Sequence, residues 1–402
     1  MKRFDVQVCG AGVVGQCLAL SLARLGLQVA LRVPVGSARL AGAAGAWGAT
    51  GAMGAAGAGD VRAYALNAAS VALLKSLKVW DTLPAHAVTP VLDMQVHGDA
   101  PGAALDFSAW QQCVSALAWI TDAAALEQQL FAALRFAAHI TLIEASDAET
   151  AADLATHPAA LTALCEGRSS ATRAALGVSF ERHAYGHQAI AARLTSTRAH
   201  QGRARQWFGA PEVLALLPFD APQPGHSLAL VWSVPDARAQ ELLALDDAAF
   251  EAQLMRATGD QASANGTVGD LKLASPRAAW PLLRAQASAW CGPGWALLGD
   301  AAHVVHPLAG QGLNLGLADV VALTRVIAQR EPWRELGDEK LLRRYARERV
   351  APTWAMTQVT DGLLNLFAHE APALRELRNR GLTLVNRLTP LKRWLTARAL
   401  DA

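Results

Sequence analysis

The sequence has little charge and almost no excess of either sign. Only 17% of its 402 residues are Asp, Glu, Lys or Arg, and the formal net charge is +2. A protein that grips nucleic acid through its phosphates needs a strong, concentrated basic surface. The composition therefore argues against a nucleic-acid partner. With 52% hydrophobic residues, the chain is long enough for two associated domains around a large buried core.

Cysteine is also scarce. The five cysteines are an odd number, are scattered along the chain and mostly have apolar neighbours; they are Cys9, Cys17, Cys113, Cys165 and Cys291. This set predicts buried free thiols rather than disulfides, and the sequence shows no zinc-type cluster of Cys and His. Because free thiols persist in a reducing compartment, we expect a cytoplasmic protein without a metal site.

Long hydrophobic runs are missing as well. No uninterrupted apolar run reaches the roughly 18 residues that a membrane-spanning helix needs. Lys2 and Arg3 precede an apolar stretch, as they would in a secretory signal. Asp5 and three glycines interrupt that stretch, which favours a buried strand over a signal. Any membrane contact of this chain is therefore expected to be peripheral, at the inner face of the cytoplasmic membrane.

A glycine-rich turn follows the first apolar segment. Residues 9–20 read CGAGVVGQCLAL, with Gly10, Gly12 and Gly15 in a Gly-x-Gly-x-x-Gly pattern. The alternating FDVQVCG predicts a strand, the spacing after the turn predicts a helix that stops at Gly26, and LQVALRV predicts a second strand. In such a unit the glycines let backbone N–H groups approach a pyrophosphate. The context predicts a dinucleotide site, with a chance match among 32 glycines as the alternative.

One residue of that site is absent. An Asp or Glu usually ends the second strand, where it accepts hydrogen bonds from the ribose hydroxyls. Arg32, Val33 and Pro34 stand there instead. The turn therefore offers glycines for the phosphates but no acid for the ribose, so it does not identify its nucleotide. We expect weaker retention of the cofactor than is usual for such sites.

The rest of the chain divides into recognisable blocks. Residues 40–60 are almost entirely Gly and Ala and predict a flexible surface loop, either a tolerated insertion or a flap over a cofactor. Between 183 and 235, short apolar segments separated by Gly, Pro and Asp predict a mostly antiparallel sheet. From Lys340 onward only helical sequence remains.

These blocks predict an α/β fold. A Rossmann-like nucleotide-binding domain is interrupted by an α+β substrate domain with a mostly antiparallel sheet, and helices follow. We assign residues 1–75, 105–178 and 275–328 to the nucleotide-binding domain. Residues 76–104 and 179–274 form the predicted substrate domain, and residues 329–402 form a C-terminal helical region.

A second motif is the most informative stretch of the sequence. Residues 295–327 read WALLGDAAHVVHPLAGQGLNLGLADVVALTRVI. WALLGD predicts a buried strand that ends in Asp300, an acid placed to accept hydrogen bonds from a polyol. A loop with Gly310, Gly312 and Gly316 then leads into a helix whose first amides can face a planar or anionic ligand. Together these features suit a flavin.

This run resembles the second flavin motif of single-component FAD-dependent aromatic hydroxylases, in particular the ubiquinone-biosynthesis branch. Similar stretches are VRAYALNAASVALLKSLKVWD, YGHQAIAARL, LALLPF, TDGLLNLF and LRNRGLTLVNRLTPLKRWL, so the resemblance spans residues 4 to about 395. The chain departs from the family at two of its three acids. Val33 replaces one, and Glu166 with Gly167 stands where the family has Asp-Gly. The departures indicate either local drift or weakened FAD binding and activity.

The resemblance implies an activity. Members of this family bind FAD, accept electrons from NAD(P)H, form a flavin hydroperoxide with O2 and transfer one oxygen to an aromatic ring. Here the implied substrate is a polyprenylated phenol or quinone precursor. A hydroxylase of another small aromatic compound, or a low-activity flavoprotein subunit of a quinone-biosynthesis complex, remains open. Arginines among leucines near the C-terminus suit either a membrane surface or such a complex.

The resemblance also implies roles for individual residues. Gly10, Gly12 and Gly15 would hold the FAD pyrophosphate, Arg62 would contact a phosphate or the flavin side, and Asp300 would accept from the ribityl hydroxyls. Glu166 and Gly167 would lie near the pyrophosphate and the nicotinamide path. The wall beside the flavin ring is expected to consist of Pro307, Gly310, Gly312, Leu313 and Asn314.

Two residues of the second motif, Pro307 and His306, are the candidates on the catalytic side. A histidine in this motif can equally shape the loop by hydrogen bonding, and the same holds for His303. Apolar surface for the substrate is expected from five residues of the antiparallel block, namely Trp207, Phe208, Leu216, Pro218 and Trp232.

Overall fold

The computed structural model describes residues 4–35, 60–98, 104–144, 159–209, 211–259, 268–305 and 311–368. The strands are β1 (Phe4–Cys9), β2 (Val29–Val33), β3 (Ala63–Leu66), β4 (Val88–Val91), β5 (Asp93–His97), β6 (Ala104–Ser108), β7 (Ala118–Asp122), β8 (Ile140–Glu144), β9 (Ala159–Leu164), β10 (Phe180–Ser196), β11 (Arg203–Gly209), β12 (Glu212–Phe219), β13 (Ser227–Pro235), β14 (Leu271–Leu273), β15 (Ala278–Ala287), β16 (Cys291–Gly292), β17 (Trp295–Leu297) and β18 (His303–Val304). The helices are α1 (Val13–Ala23), α2 (Ala68–Ser76), α3 (Ala123–Leu134), α4 (Ala171–Ala175), α5 (Asp236–Ala244), α6 (Asp247–Ala257), α7 (Gln311–Ala328) and α8 (Glu339–Ala368).

The first sheet contains the predicted nucleotide unit. Its order is β16-β17-β9-β1-β2-β8, and every neighbouring pair is parallel except β16 with β17. The helix α1 connects β1 to β2 and is buried along almost its whole length, which accounts for its small and apolar residues. Since the carboxyl ends of parallel strands share one edge, the segments after β1, β9 and β17 meet there. The predicted strand–turn–helix–strand unit is confirmed.

The second sheet is large and mostly antiparallel. Its order is β18-β15-β10-β13-β12-β11-β5-β6, with β14 beside β10, and only β5 and β11 pair in parallel. Side chains of α5 and α6 share a core with β10, β12 and β13, in which Trp232 and Phe250 are fully buried. The antiparallel sheet predicted between 183 and 235 is confirmed.

A third, three-stranded sheet has the order β3-β7-β4. Ile120 of β7 and Val91 of β4 form one apolar cluster with Ala204 and Phe219 of the large sheet. This packing joins the small sheet to the large one.

Two strands pair in a different sheet from the one that the predicted domain boundaries indicate. β15 lies within 275–328, and β6 lies within 105–178 except for Ala104; both ranges belong to the predicted nucleotide-binding domain. Both strands instead pair in the large sheet. The division into domains stays a prediction. The segment 36–59, which holds nearly all of the Gly/Ala stretch, and the arginine-rich stretch beyond 368 lie outside the described residues. Among the helices that are described, none is long and apolar enough to cross a membrane.

Candidate functional site

The glycine turn after β1 is packed against the end of β9. Gly10 has φ of +105°, and a Cβ there would lie 2.4 Å from the Cys165 carbonyl oxygen. A Cβ on Gly15 would lie 1.9 Å from the carbonyl oxygen of Gly10. Both positions therefore exclude any side chain. The turn needs these glycines for its own packing, before any ligand is considered.

Gly12 differs from its two neighbours in the motif. It is exposed, and a Cβ on it would meet no atom within 4 Å. It is also the N-cap of α1, where no side chain caps the helix and no acid lies in the first turn. The start of α1 therefore has neither a side-chain cap nor an acid of its own, and the space beside Gly12 is free of atoms of the described residues, which suits a phosphate group.

The second motif comes directly against this turn. Val14 of α1 fits between two glycines, since a Cβ on Gly316 would lie 2.7 Å from its Cγ2 and one on Gly299 would lie 3.3 Å away. Gly299 begins a single-turn helix, Gly299–Ala301, that follows β17, and Gly316 lies in α7. Nearly 300 residues separate the two motifs in the sequence, and the fold brings them into contact.

Asp300 lies in the single-turn helix at this junction. The residue is exposed to solvent, but surrounding protein atoms partly desolvate its carboxyl, and this desolvation raises the pKa of the group. The neighbouring His303 and Arg168 act in the opposite direction and lower this pKa. No residue of the described part of the chain donates a hydrogen bond to the carboxylate. An accessible acceptor without a donor fits the predicted contact to ribityl hydroxyls.

Asn314 near the start of α7 is engaged within the protein. Its Oδ1 accepts hydrogen bonds from the Asn67 N–H at 3.0 Å and from Ser70 Oγ at 2.8 Å, and its Nδ2 donates to the Ala65 carbonyl at 2.8 Å. These bonds tie α7 to β3 and α2. Leu313 is half-buried against the main core, and Gly312 has open space where a Cβ would point. The wall predicted beside the flavin ring thus begins on a fixed helix.

The Glu166 side chain turns towards the start of α4, the helix that follows it in the chain. Its carboxylate accepts hydrogen bonds from Ser170 Oγ, from Thr172 Oγ1 at 2.7 Å and from the Thr172 N–H at 3.3 Å. Its backbone meets the glycine turn, since a Cβ on Gly10 would lie 2.8 Å from Glu166 N. Gly167, which follows, has φ of +76°. The carboxylate therefore secures the start of α4, and a contact to the cofactor stays a prediction.

Arg62 is paired with two acids. Its guanidinium donates to Asp60 at 2.6 Å and to Glu127 at 3.2 Å, and Tyr64 Oη donates to the same Glu127 carboxylate at 3.3 Å. The Arg62 side chain is 30% exposed, so one part of the guanidinium still reaches solvent. The predicted phosphate contact would have to use that part.

Several predicted residues are buried or undescribed. Trp232, Leu216, Pro218 and Phe208 lie in the cores of the large sheet, and the half-buried Trp207 stacks on His97 with ring centroids 5.3 Å apart. Four of these five side chains therefore cannot line an open pocket. Three predicted site residues of the second motif lie outside the described residues, namely His306, Pro307 and Gly310.

The fold also reveals residues that the motifs did not indicate. Glu144, at the end of β8, is exposed and is the register partner of Val33, the buried residue in the place of the ribose acid. Arg173 donates to the Ala301 carbonyl at 2.8 Å and lies 3.6 Å from the centroid of the Phe180 ring. Asp319 is completely buried in α7. For Asp319, the only signal in the sequence was an acidic residue within an otherwise apolar helix.

Comparison with known proteins agrees with this geometry. The model of a family described as "FAD binding domain" matches residues 55–360, about three quarters of the chain. The chain belongs to this family. The predicted FAD cofactor and the class of FAD-dependent monooxygenase, for which NAD(P)H is the usual electron donor, are confirmed.

Two relatives extend over nearly the whole chain. Ubiquinone hydroxylase UbiL of Rhodospirillum rubrum is 29% identical over 99% of this chain and 90% of its own length. The 3-demethoxyubiquinol 3-hydroxylase of Escherichia coli is 29% identical, with coverage of 97% and 96%. The predicted resemblance to hydroxylases of ubiquinone biosynthesis is thereby confirmed.

Solved structures of other proteins share the fold. PqsL of Pseudomonas aeruginosa, a probable FAD-dependent monooxygenase, superposes with a TM-score of 0.69 at 18% identity, over 95% of this chain and 100% of that one. Klebsiella pneumoniae HpxO, complexed with FAD and uric acid, gives 0.67 at 17% identity, with coverage of 97% and 96%. The predicted α/β fold is confirmed.

Proposed function

We propose that this protein hydroxylates the aromatic ring of a polyprenylated ubiquinone precursor, using NAD(P)H and O2. The proposal is carried by the nearly full-length similarity to two ubiquinone-biosynthesis hydroxylases, in a fold whose two motifs meet at one site. FAD, when bound, supplies the two-electron transfer from NAD(P)H and the activation of O2. The protein supplies binding, orientation and exclusion of water.

Each part of the cofactor has a matching feature in the chain. The uncapped start of α1 at Gly12 would hold the pyrophosphate, and Asp300 would accept from the ribityl hydroxyls. The first turn of α7, from Gln311 to Leu313, would face the edge of the ring where negative charge develops. Arg62 and Glu166, which are committed to partners in the protein, would orient the surrounding segments.

We infer that the aromatic ring of the substrate binds beside β3. The Ala65 carbonyl accepts from Asn314, so β3 borders the start of α7. Half-buried apolar side chains of β3 and of the large sheet lie together there and pack on one cluster, namely Ala63, Ala65, Met94, Phe107 and Leu217. Such a surface can exclude water from the reacting ring and accommodate the start of a polyprenyl chain.

The test is a turnover assay with defined substrates. The purified protein, reconstituted with FAD, is supplied with NAD(P)H, O2 and a series of polyprenylated phenols that differ in ring substitution. We expect one of them to gain a single oxygen atom, detected by mass spectrometry, with matching consumption of NAD(P)H and O2. Uncoupled oxidation of NAD(P)H with every member of the series would contradict the proposal.

A matched variant tests the location of the substrate. Leu217→Gln should raise KM for the polyprenylated phenol, because it places an amide on the apolar surface, while FAD affinity stays unchanged. Gln95→Ala, which removes the side chain that binds Asp106 on an exposed face, serves as the control and should leave KM unchanged. Equal values of KM for the Leu217 variant and the unmodified protein would exclude this surface.

Quinone profiling separates the proposal from a hydroxylase of another small aromatic compound. A strain that lacks the gene should accumulate an under-hydroxylated polyprenyl intermediate, and the missing hydroxyl identifies the ring position. A normal quinone profile, with oxidation of a non-prenylated phenol by the purified enzyme, would favour the other hydroxylase. Failure to bind FAD after reconstitution would instead favour a subunit without turnover.

We also propose that the protein works in the cytoplasm as a peripheral protein on the membrane that carries its substrate. Support comes from the sequence beyond residue 368, where Arg375, Arg378, Arg387 and Arg393 alternate with leucines. The full chain should float with vesicles that contain anionic lipid and stay unbound with neutral ones. Equal flotation with both, or with neither, would contradict an electrostatic membrane contact.

A further inference from the structure

A fully buried carboxylate lies behind the predicted flavin end of the site. Asp319, in the third turn of α7, has no exposed surface. Burial alone would raise the pKa of its carboxyl, but His303 and Arg349 lower it below its ordinary value, so the group is ionised. A buried anion is costly unless each of its oxygens is matched by a donor. The donors around Asp319 therefore show which parts of the protein this carboxylate holds together.

Three donors from three different segments converge on this carboxylate. Oδ2 accepts from the Gly299 N–H at 2.9 Å and lies 2.7 Å from His303 Nε2, and Oδ1 accepts from Arg349 Nε at 2.7 Å. His303 and Arg349 are themselves buried. Both oxygens are thus used, and the cluster joins the single-turn helix at Gly299, the strand β18 and the helix α8 to α7.

These partners flank Asp300 on both sides in the chain. Gly299, whose N–H is bonded, directly precedes Asp300 and has φ of +57°, a conformation that other residues rarely adopt. His303 follows three positions later and stacks on Trp290, with ring centroids 4.8 Å apart. Arg349 also donates to the Leu315 carbonyl at 3.2 Å, beside Gly316 of α7. The single-turn helix that presents Asp300 is therefore held at both ends.

We propose that Asp319 is the positioning residue of the flavin end, fixing Asp300 through the Gly299 N–H and through His303. It does not itself touch the cofactor. The inference rests on the FAD site that the proposed function requires, but not on which aromatic compound is hydroxylated. Supporting groups of this kind determine how accurately a binding residue is placed. His303 then acts as a link in the support and not as an acid or base.

The chain offers a matched control in the large sheet. Asp220 Oδ1 accepts from the Gly225 N–H at 2.7 Å and lies 3.3 Å from His200 Nε2, while Oδ2 accepts from Thr89 Oγ1 at 2.9 Å. This aspartate also bonds a backbone N–H, a histidine and one further donor. It lies outside the two nucleotide motifs. A substitution there costs similar hydrogen bonds without disturbing the support of Asp300.

The experiment compares Asp319→Asn with Asp220→Asn in titrations of the flavin-free full chain. FAD requires both ends of the site, whereas ADP requires only the glycine turn at Gly10–Gly15. We expect Asp319→Asn to weaken FAD binding about tenfold or more and to leave the affinity for ADP within about twofold. Asp220→Asn should lower the melting temperature but leave both affinities unchanged.

A second pair of variants covers the case in which Asp319→Asn does not fold. His303→Gln keeps a nitrogen donor in place of Nε2, so it should retain FAD affinity within about threefold of the unmodified protein. His303→Leu removes the donor and should resemble Asp319→Asn, with ADP affinity retained.

The proposal is overturned by either of two results. Parallel loss of ADP and FAD affinity would mean that Asp319 only stabilises the fold. Unchanged FAD affinity in both Asp319→Asn and His303→Leu would mean that Asp300 needs no support. Neither result depends on turnover, so failure of the substrate proposal cannot be mistaken for failure of this one.

Discussion

The two ends of the proposed cofactor site are constructed in different ways. At the pyrophosphate end, Gly10, Gly12 and Gly15 lie within one turn and offer only backbone. At the flavin end, Asp300 is supported by Asp319, which is 20 residues beyond the N–H it binds, and Asp319 is in turn bonded to Arg349, 30 residues further on. One end depends on space for the backbone, and the other depends on side chains that distant segments bring together. The two ends should therefore fail in different ways.

The largest effect is expected at Gly15. Gly15→Ala would place a methyl group 1.9 Å from the Gly10 carbonyl oxygen, and because the Cβ position is fixed by the backbone, no rotamer relieves this contact. We expect a loss of about 3 kcal/mol or more in the free energy of unfolding, together with loss of FAD and ADP binding. Urea unfolding and ligand titration measure the two effects.

Gly12→Ala is the control for this prediction, because its Cβ would meet no atom within 4 Å. Its stability should stay within about 0.5 kcal/mol of the unmodified protein. Its dinucleotide affinity should fall at least about tenfold, because the methyl group occupies the approach of the pyrophosphate. If Gly15→Ala had the unfolding free energy of the unmodified protein, the close contact inferred at this turn would be refuted.

The next largest effect is expected where the two ends meet. Gly316→Ala would bring a methyl group to 2.7 Å from Val14 Cγ2, but that neighbour is the end of a side chain and can partly yield. We expect a destabilisation of about 1–2 kcal/mol, most of which a second change, Val14→Ala, should restore. A double-mutant cycle of unfolding free energies without coupling would show that the two motifs do not touch.

A smaller effect is expected at Asp300, where substitution should stabilise the flavin-free protein instead of destabilising it. Because burial raises the pKa of this carboxyl in the folded protein, the unfolded chain loses its proton first as pH rises. The ionised acid therefore costs stability above a pH of about 4. Without FAD, Asp300→Asn should melt at a higher temperature than the unmodified protein at neutral pH, with the difference vanishing towards pH 4.

The same variant tests the flavin end directly. Asp300→Asn should bind FAD about tenfold more weakly while its affinity for ADP is retained. A melting temperature below that of the unmodified protein at neutral pH would contradict the inferred cost of burying the carboxyl.

The smallest effect is expected at Glu144. Val33 is buried and offers no oxygen to the ribose, whereas Glu144 ends at the same sheet edge on the adjacent strand and is exposed. We expect Glu144 to take over part of the ribose contact. Glu144→Gln should then weaken FAD and ADP together by about two- to fivefold. Unchanged titrations for both ligands would leave the ribose without an acidic partner on either strand.

Much of the fold followed from local patterns. The alternation before Gly10, the helical spacing after it and the apolar segments between 183 and 235 predicted the elements that the structure contains. The strand that ends at Asp300 was predicted for the same reason. Side-chain hydrogen bonds were not predictable in this way. The Glu166 carboxylate bonds to the start of α4, only four to six residues further along the chain, but the spacing alone does not show which way the side chain turns. Asn314 bonds to β3 and α2, about 250 residues away, and these partners come within reach only after folding.

By itself, the sequence determined the glycine turn, the class of fold and the family, since each depends on residues that lie close together in the chain. Only the tertiary structure decided that Val14 joins the two motifs, that Glu144 stands beside Val33 and that Asp319 supports Asp300. The physical reason is that a hydrogen bond acts over about 3 Å and carries no trace in the spacing of its partners along the chain.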